Sequence, residues 1–370
     1  MNCRSQKSTI IFFGKLPPPY IGPSIATEII LQSKITEEFK VIHFNTSDHR
    51  PIQTLARFDF INIWLSIKQY LQLLIYLVKY NPDLVYIPAG QTKIGYIRDS
   101  IFIIISLCFC RKIICHLRGG NFHNFFSQSS RIMKWYIRIV HSRVTGQIVL
   151  GNNLKHMFNQ ILPDNKIFVV PNGGNYNFPK TRKPEIINIL YLSNFIKTKG
   201  ILDVLKAFTL LREYDNIQLQ LVGDWNDDYI KREVENFVSQ NYHLPIIING
   251  TKSGVAKFKI LSLASIFIFP TYYINEGHPW SIVEAMAAGL PIISTNHAAI
   301  PESVIDGLNG FIVEKQNPSQ IAEKMQFLID HPEIREKMGK SSRKLYEENF
   351  TEEKMTERFI NVFNQVINSK

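Results

Sequence analysis

Residues 269–295 read FPTYYINEGHPWSIVEAMAAGLPIIST, a stretch in which a strand, a loop, a helix and a second strand are expected to follow one another. The first strand is expected to end at Phe269, and the proline and glycine that come after it favour a loop. The helix is expected to begin near Pro279 and to end at Gly289, because proline is favoured in the first helical turn and glycine just after the last one. The apolar run that starts at Pro291 predicts the next strand.

Two glutamates of this stretch, Glu276 and Glu284, lie on either side of the expected helix start. On one continuous helix they would be about 80° out of phase and about 12 Å apart along the axis, so they would not share a site. Pro279 is placed as an early helical residue, which puts Glu276 in the loop. Both carboxylates can then face a ligand above the helix start, where unpaired N–H groups favour an anion such as a pyrophosphate. The alternative is that Glu284 only forms a capping box with Ser281.

Short apolar, β-branched runs alternate with amphipathic stretches along the 370 residues, a length that suits two domains. This rhythm predicts an α/β fold with two doubly wound parallel sheets, each covered by helices on both faces. The turn-rich segment Pro171–Lys183 (PNGGNYNFPKTRK) interrupts the rhythm and predicts a linker. We place one domain at residues 1–175, joined by the C-terminal helix at 350–370, and the other at 176–349. Ligands of such sheets bind at the carboxyl ends of the strands, which predicts a site in a cleft between the two domains.

The net charge of +11 is carried by the first half of the chain. Residues 1–180 contain 21 Lys and Arg against 8 Asp and Glu, a balance of +13, whereas residues 181–370 contain 21 against 23, a balance of −2. Such asymmetry indicates an anionic partner for the first half, either a membrane surface or a nucleic acid, unless it is only a solvated basic surface. The strongest apolar run, Ser100–Cys110, is shorter than the roughly 20 residues of a spanning helix, so no transmembrane anchor is expected.

The segment EGHPWSIVE (276–284), followed by AMAAGLPIIST, resembles the signature of glycosyltransferase family 4, which belongs to the glycosyl transferases group 1. That family consists of retaining, nucleotide-sugar-dependent enzymes with two Rossmann-like domains facing a cleft, the GT-B architecture. The resemblance implies that Glu276 is catalytic and lies near the donor sugar, and that Glu284 holds the ribose hydroxyls. It also implies that the residues between them contact the donor: Gly277, His278, Pro279, Trp280 and Ser281.

The segment Ile186–Phe208 (IINILYLSNFIKTKGILDVLKAF) is a predicted strand that leads through a loop into a helix. It resembles the family's strand followed by Gly-Arg-x4-Lys-Gly, whose Arg and Lys neutralise the donor pyrophosphate. Lys199 matches the lysine and is implied to bind the donor and to be catalytic. Asn194 occupies the arginine position, where it keeps a hydrogen-bond donor but no charge. From the residues alone, a pair of solvated lysines remains an alternative.

Two segments of the first half resemble the family less closely. Residues 14–27 (GKLPPPYIGPSIAT) resemble its glycine loop near the donor phosphates, with Gly22 at the position of close approach, although a plain loop is the alternative. A single helix is expected over Ser24–Phe39. In KIICHLRGGNFHNFF, which begins at residue 112, the family's histidine near the donor sugar matches either His116 or Arg118. Both stay candidates, and a lone histidine at a strand end is often only structural.

The resemblance implies a retaining hexosyltransferase that moves a sugar from a nucleotide-diphosphate sugar to a glycan or lipid-linked acceptor. UDP-sugars are favoured over GDP-sugars, the first domain is expected to bind the acceptor, and the second is expected to bind the donor. The implied setting is bacterial surface polysaccharide synthesis (capsule, O-antigen or exopolysaccharide) in the cytoplasm, in contact with the anionic inner face of the cell membrane.

No metal or other cofactor is expected, because the family needs none and the acidic turn around Asp224, Asp227 and Asp228 is typical of a helix N-cap. Two alternatives remain. One is a sugar-nucleotide epimerase or hydrolase on the same fold, and the other is a non-enzymatic protein that binds anionic polymers. No nucleic-acid partner is expected, because no motif of that kind is present.

Overall fold

The computed structural model describes residues 7–18, 22–47, 60–181 and 184–369. The chain divides into two compact units, one made of Met1–Asn172 with Glu352–Lys370 and the other of Gly173–Thr351. These limits lie within a few residues of the domain limits expected from the sequence, and the last helix of the chain is part of the first unit. Residues 182 and 183 of the predicted linker lie outside the described residues.

The first unit is built on six parallel strands: β1 (Thr9–Gly14), β2 (Lys40–Asn45), β3 (Leu84–Pro88), β4 (Lys112–His116), β5 (Gly146–Val149) and β6 (Ile167–Val169). They lie in the order β2-β1-β3-β4-β5-β6. The strands are short and rich in apolar side chains, and most of their residues are buried, as is typical of parallel sheets covered on both faces.

The helices of the first unit are α1 (Gly22–Gln32), α2 (Ile35–Glu38), α3 (Phe60–Tyr80), α4 (Lys93–Cys108), α5 (Phe122–Gln128), α6 (Arg131–His141) and α13 (Glu352–Asn368). The strand order and the right-handed rule for crossovers place α1 on one face of the sheet and α3, α4 and α6 on the other. Helix α13 packs against α2, with the rings of Phe363 and Phe39 5.9 Å apart.

The helix expected over Ser24–Phe39 is wrong, since the chain forms two helices there. Helix α1 ends at Gln32, and the hydroxyl of Ser33 donates to the Ile30 carbonyl oxygen at 2.7 Å. Serine side chains compete in this way with the backbone hydrogen bonds of a helix, which explains why the amphipathic pattern continues while the helix does not.

The second unit repeats the architecture with β7 (Ile187–Leu192), β8 (Ile217–Val222), β9 (Ile246–Ile248), β10 (Ile266–Phe269), β11 (Ile292–Thr295) and β12 (Gly310–Val313). These strands are parallel and lie in the order β12-β11-β10-β7-β8-β9. The predicted fold class, α/β with two doubly wound parallel sheets, is confirmed.

The helices of the second unit are α7 (Ile201–Thr209), α8 (Asp228–Gln240), α9 (Gly254–Leu263), α10 (Trp280–Ala287), α11 (Pro318–Asp330) and α12 (Pro332–Asn349). Helix α10 has six consecutive buried residues, from Ile282 to Ala287. Its C-terminal end is held by α12, where Arg343 donates to the Ala287 carbonyl oxygen at 2.6 Å. Gly339 allows this approach, because a Cβ on it would lie 2.4 Å from the Gly289 carbonyl oxygen. In the parts of the chain that the structure describes, no helix is long and apolar enough to cross a membrane.

Gly200 ends the loop that joins β7 to α7 and lies against Pro270, the residue after β10. Its φ of +83° is a left-handed conformation that glycine adopts without steric penalty. A Cβ on Gly200 would lie 2.5 Å from the carbonyl oxygen of Pro270, the residue after β10. The two loops can therefore approach each other because residue 200 has no side chain.

We expect Gly200→Ala to lower the free energy of unfolding by about 3 kcal/mol, from the left-handed backbone and the contact with Pro270 together. The matched control is Gly307→Ala, which has a similar φ of +74° but no heavy atom within 4 Å of the added Cβ. That control should cost only about 1 kcal/mol. Urea unfolding followed by tryptophan fluorescence measures both, and equal losses would contradict the role given to the contact.

Candidate functional site

The strand order of the second unit reverses between β7 and β10, which are paired with each other. Such a reversal leaves a crevice at the carboxyl ends of the two strands, because the connections that follow them run to opposite faces of the sheet. The loop after β7 carries Asn194 and Lys199, and the loop after β10 carries Glu276. Three of the site residues predicted from the sequence thus belong to the two loops that flank one crevice.

The backbone around Lys199 is fixed by one residue of β7 and one residue of the loop after β10. It ends the short 3-10 turn Lys197–Lys199. The Tyr191 hydroxyl donates to the Lys199 carbonyl oxygen at 3.3 Å, and the Tyr272 amide, in the loop after β10, donates to the Thr198 carbonyl oxygen at 2.8 Å. The two loops are therefore joined directly by a main-chain hydrogen bond.

The ammonium group of Lys199 lies among two aromatic rings and one carboxylate. Its Nζ atom is 5.7 Å from the ring centre of Phe269, 5.5 Å from that of Tyr273 and 3.7 Å from Glu276 Oε2. Cation–π attraction and the ion pair hold the charge in place, while 18% of the side chain stays exposed. The arrangement keeps one positive charge ordered and still open to a ligand.

Glu276 lies in the loop before α10, as the sequence predicts. Its amide donates to the Tyr273 carbonyl oxygen at 2.8 Å, and its side chain is 12% exposed. Among the described residues, the Oε2 atom of Glu276 is buried and has no hydrogen-bond partner. Leaving a buried carboxylate oxygen without a donor is costly. A ligand hydroxyl at this oxygen would remove that cost.

The turn that carries Glu276 is supported by a chain of hydrogen bonds from Lys315 through His297 to Tyr273. His297 Nε2 lies 2.8 Å from the Tyr273 carbonyl oxygen, and Lys315 Nζ lies 3.1 Å from Nδ1 of the same ring. An ammonium group only donates, so Nδ1 is the acceptor and Nε2 carries the proton that bonds to Tyr273. Burial lowers the pKa of His297, and the charge of Lys315 lowers it further. A neutral imidazole therefore holds this turn.

Helix α10 begins at Trp280, with Pro279 as its N-cap residue. Pro279 has an extended backbone with ψ of 126°, and no side chain caps the helix. The capping-box alternative is therefore wrong, because Ser281 lies inside the first turn and Glu284 has a different partner. Trp280 and Ser281 are half-buried. A helix start without a side-chain cap presents its first N–H groups to an anion.

Glu284 is paired with Lys257, a residue of α9. Lys257 Nζ donates to Glu284 Oε1 at 2.5 Å. Burial raises the pKa of Glu284, and the positive charge of Lys257 opposes that rise. The pair thus places a second cation, 20% exposed, beside the second turn of α10.

Gly277 and His278, between the two glutamates, are both buried. The Gly277 carbonyl oxygen accepts from the Ala299 amide at 3.0 Å. His278 Nε2 lies 2.7 Å from the Ser303 hydroxyl, and the ring lies 5.2 Å from that of Phe350. The His278 imidazole is therefore part of the packing of the second unit, and its main chain is the part that remains for a ligand.

Asn194 lies at the exposed start of the loop after β7. Its carbonyl oxygen accepts from the Ile196 amide at 2.9 Å. This bond fixes the main chain of Asn194 at the carboxyl end of the strand, on the same loop as Lys199.

The acidic turn after β8 has a structural role. Asp227 is the N-cap of α8, with Oδ1 accepting from the Ile230 amide at 2.8 Å, as the N-cap interpretation predicts. Asp224 Oδ1 accepts from the Trp225 amide at 2.9 Å. Across the described ranges, no group of three or more His, Cys, Asp or Glu residues is arranged to hold a metal ion.

In the first unit, His116 and Arg118 are connected through the hydroxyl of Tyr86. Tyr86 Oη lies 2.7 Å from His116 Nδ1 and 3.0 Å from Arg118 Nη2. His116 is buried, and burial and the charge of Arg118 lower its pKa well below the usual range, so the ring is neutral. Its Nε2 atom has no hydrogen-bond partner among the described residues. Arg118 is only half-buried, so it is the one of the two that reaches solvent.

Gly22, the remaining predicted site residue, is half-buried and is the first residue of α1. Residues 19–21 of its loop lie outside the described residues. The strand order of the first unit reverses between β1 and β3, as that of the second unit does between β7 and β10. Because α1 follows β1, Gly22 lies in the connection that begins at this reversal.

Three site residues were not predicted from the sequence: Lys257, His297 and Lys315. His297 is the second residue after β11, so a polar residue near a strand end was a usable signal. Lys257 is one of two lysines on a largely apolar helix, and its pairing with Glu284 depends on tertiary packing that no spacing reveals. Lys315 follows β12, the edge strand. The pairing of β12 with β11 brings it next to His297, and this pairing is not visible in the sequence.

The second unit matches a known family. Residues 176–345 match the family model of glycosyl transferases group 1. A stretch of 194 residues is 30% identical to an uncharacterized glycosyltransferase of Methanocaldococcus jannaschii, over 52% of this chain and 50% of that protein. The capsular polysaccharide biosynthesis glycosyltransferase CapM of Staphylococcus aureus is 27% identical over 60% of this chain and 61% of its own length. The matches thus span between half and about three fifths of these relatives.

The fold has solved counterparts. A crystal structure of the Anabaena protein HepE in complex with UDP superposes on 97% of this chain and 100% of its own with a TM-score of 0.74 and 14% identity. At this identity the likeness shows the fold alone, which is that of the GT-B glycosyltransferases.

We expect the pKa of His297 to lie below 6.5, because burial and Lys315 lower it by more than the Tyr273 carbonyl oxygen and Glu276 raise it. Replacement of Lys315 by Met should raise the pKa of His297, because it removes a positive charge that disfavours the imidazolium. The control is Lys340→Met, which removes an exposed lysine of α12 and should leave His297 unchanged. Histidine NMR signals followed against pH give the pKa in each variant. A pKa of 6.5 or higher in the unchanged chain would contradict the hydrogen-bond chain as described.

Proposed function

We propose that the chain is a retaining glycosyltransferase that moves a sugar from a nucleotide-diphosphate sugar to a glycan or lipid-linked acceptor. The observation that carries the proposal is the pairing of Lys199 with Glu276. The pair lies where the strand order reverses between β7 and β10, in a domain that matches the glycosyl transferases group 1. The resemblance of the Glu276 to Glu284 segment to family 4 supports the finer assignment to that family and to retention at the anomeric carbon.

The donor is proposed to bind with its diphosphate above the start of α10. The uncapped amides near Trp280 and Ser281 and the ordered ammonium of Lys199 supply donors and positive charge. Asn194 adds an uncharged donor on the same loop as Lys199. UDP is the favoured nucleotide, with GDP the alternative, and HepE, a protein of the same fold, is known in complex with UDP.

The sugar and the ribose are proposed to meet the two glutamates. Glu276 Oε2, which lacks a hydrogen-bond partner among the described residues, accepts from a sugar hydroxyl. Glu284 holds the ribose hydroxyls. Burial raises the pKa of its carboxyl group, and the ammonium of Lys257, which donates to Oε1, opposes that rise. In this proposal the main chain of Gly277 to Pro279 contacts the donor.

Catalysis is proposed to come mainly from stabilising the leaving nucleoside diphosphate. Negative charge grows on the phosphate as its bond to the anomeric carbon breaks, and preorganised donors at that position lower the barrier. Lys199 and the start of α10 supply these donors. In the first unit Arg118 is the proposed side chain that reaches substrate, and the neutral His116 positions it through the Tyr86 hydroxyl. Gly22 is proposed as a further donor contact. No metal ion is assigned a step.

The proposed setting is bacterial surface polysaccharide synthesis on the cytoplasmic side of the membrane. The similarity to CapM, a capsular polysaccharide enzyme, supports this setting. The first unit is proposed to bind the acceptor, and its excess of Lys and Arg suits an acceptor held at an anionic membrane surface.

Lys199→Met and Glu276→Gln should each lower kcat/KM for sugar transfer by roughly 10²- to 10³-fold, because each removes a preorganised group at the reacting end of the donor. The control is Lys197→Met, which removes an exposed lysine from the same 3-10 turn and should change the rate by less than about twofold. Product formation is measured with a panel of UDP- and GDP-sugars, with and without EDTA, and NMR gives the anomeric configuration.

Wild-type turnover in both site variants would contradict the proposed site. Inversion at the anomeric carbon would contradict retention alone, and loss of turnover in EDTA would contradict metal independence alone. Consumption of the donor with no acceptor present would favour the epimerase or hydrolase alternative. Circular dichroism of each variant shows whether the fold is intact.

A further inference from the structure

Helix α3 of the first unit turns an apolar face to solvent. Trp64, Ile67, Leu71, Ile75 and Val78 recur every three or four residues, so they lie on one side of the helix. All five are exposed, by 67% for Trp64, 57% for Leu71 and 71% for Val78. A contiguous apolar stripe of this size on a helix surface marks an interaction site more often than a plain solvent-facing surface.

The neighbouring helices continue this surface. Helix α4 lies beside α3, with the Tyr70 hydroxyl donating to the Arg98 carbonyl oxygen at 3.1 Å. Helix α6 lies beside α4 on its other side, where the hydroxyls of Ser100 and Tyr136 are 2.6 Å apart. The exposed apolar side chains of these two helices are Ile94, Ile97 and Ile104 on α4, and Ile132 and Trp135 on α6. We call the outward surface of α3, α4 and α6 the three-helix face.

The charges of the three-helix face are almost all positive. The three helices contain seven lysines and arginines: Lys68, Lys79, Lys93, Arg98, Arg131, Lys134 and Arg138. Their one acidic residue is Asp99, which is buried and paired with Arg98 at 2.7 Å. Lys68 and Lys79 are exposed at the edge of the α3 stripe, and Arg131 and Arg138 are exposed beside Trp135. The surface therefore combines an apolar centre with basic and tryptophan side chains.

We propose that the three-helix face docks onto an anionic lipid bilayer, with its apolar side chains among the acyl chains near the surface and its basic side chains at the phosphates. Helices that lie in a membrane interface have this composition, with tryptophan and leucine on one side and lysine and arginine at its edge. The inference rests on the membrane association proposed above and names the surface that carries it. It does not depend on which sugar the second unit transfers.

A second copy of the chain fits this face less well. A twofold dimer would place the basic three-helix face of one copy against the same face of the other, with no exposed acidic residue on these helices to pair with the positive charges. A nucleic acid would leave the apolar centre facing a charged backbone, whereas a bilayer satisfies both the charges and the apolar area.

The test is co-sedimentation of the purified full chain with vesicles of phosphatidylcholine containing phosphatidylglycerol. Leu71→Ser with Val78→Ser should lower the bound fraction by at least about tenfold, because two apolar side chains no longer enter the bilayer. The matched control is Leu210→Ser with Val255→Ser, the same exchanges at two exposed positions of the second unit. That control should bind as the unchanged chain does. The tryptophan emission of the unchanged chain should shift to the blue on binding, because Trp64 and Trp135 enter the bilayer. The variant Trp64→Ser with Trp135→Ser should show no such shift.

Each outcome decides the inference. The α3 variant is the chain with Leu71→Ser and Val78→Ser. Loss of vesicle binding in the α3 variant and not in the control, with an unchanged melting temperature, supports the inference. Equal binding by the unchanged chain and the α3 variant overturns the surface assignment, and no binding by the unchanged chain overturns the membrane association itself. A dimer in solution that the α3 variant dissolves would show that the face binds a second copy. Binding of UDP, measured on the same samples, tests the proposed donor site separately, so the two proposals can fail independently.

Discussion

The close approach of Gly200 to Pro270 is the constraint on which the candidate site depends. It brings the loop after β7 against the loop after β10, and a side chain at residue 200 would push them apart. Because the two loops touch, the ammonium of Lys199 lies 3.7 Å from Glu276 Oε2. The reversal of strand order between β7 and β10 explains why this contact occurs at the carboxyl ends of the strands, where open parallel sheets bind their ligands.

Two pairs of opposite charges lie in the candidate site of the second unit. Lys199 faces Glu276, and Lys257 faces Glu284, so each acidic residue of the signature has a lysine from another segment of the chain. Burial strengthens such pairs and raises the cost of leaving either member alone. The first unit uses its charge differently, since most of its basic residues have no acidic neighbour in sequence and several lie around exposed apolar helices.

The sequence predicts the sheets well because buried parallel strands are short, apolar and β-branched, and such runs are visible without any tertiary information. It also places Glu276 in a loop, from the position of Pro279. It fails where local chemistry overrides a pattern, as at Ser33, which separates α1 from α2. It fails again where a partner comes from elsewhere in the fold. The capping box, which the spacing left as an alternative for Glu284, is absent, and Glu284 bonds to Lys257 instead. Spacing along one helix cannot reveal a partner on another.

A crystal structure of the chain with UDP bound tests the central claim most directly, because it locates the diphosphate relative to both loops. We expect the phosphate oxygens within hydrogen-bond distance of the amides at Trp280 and Ser281 and of Lys199 Nζ, with the ribose hydroxyls at Glu284. A diphosphate bound elsewhere, with the pair of Lys199 and Glu276 unchanged, would contradict the account.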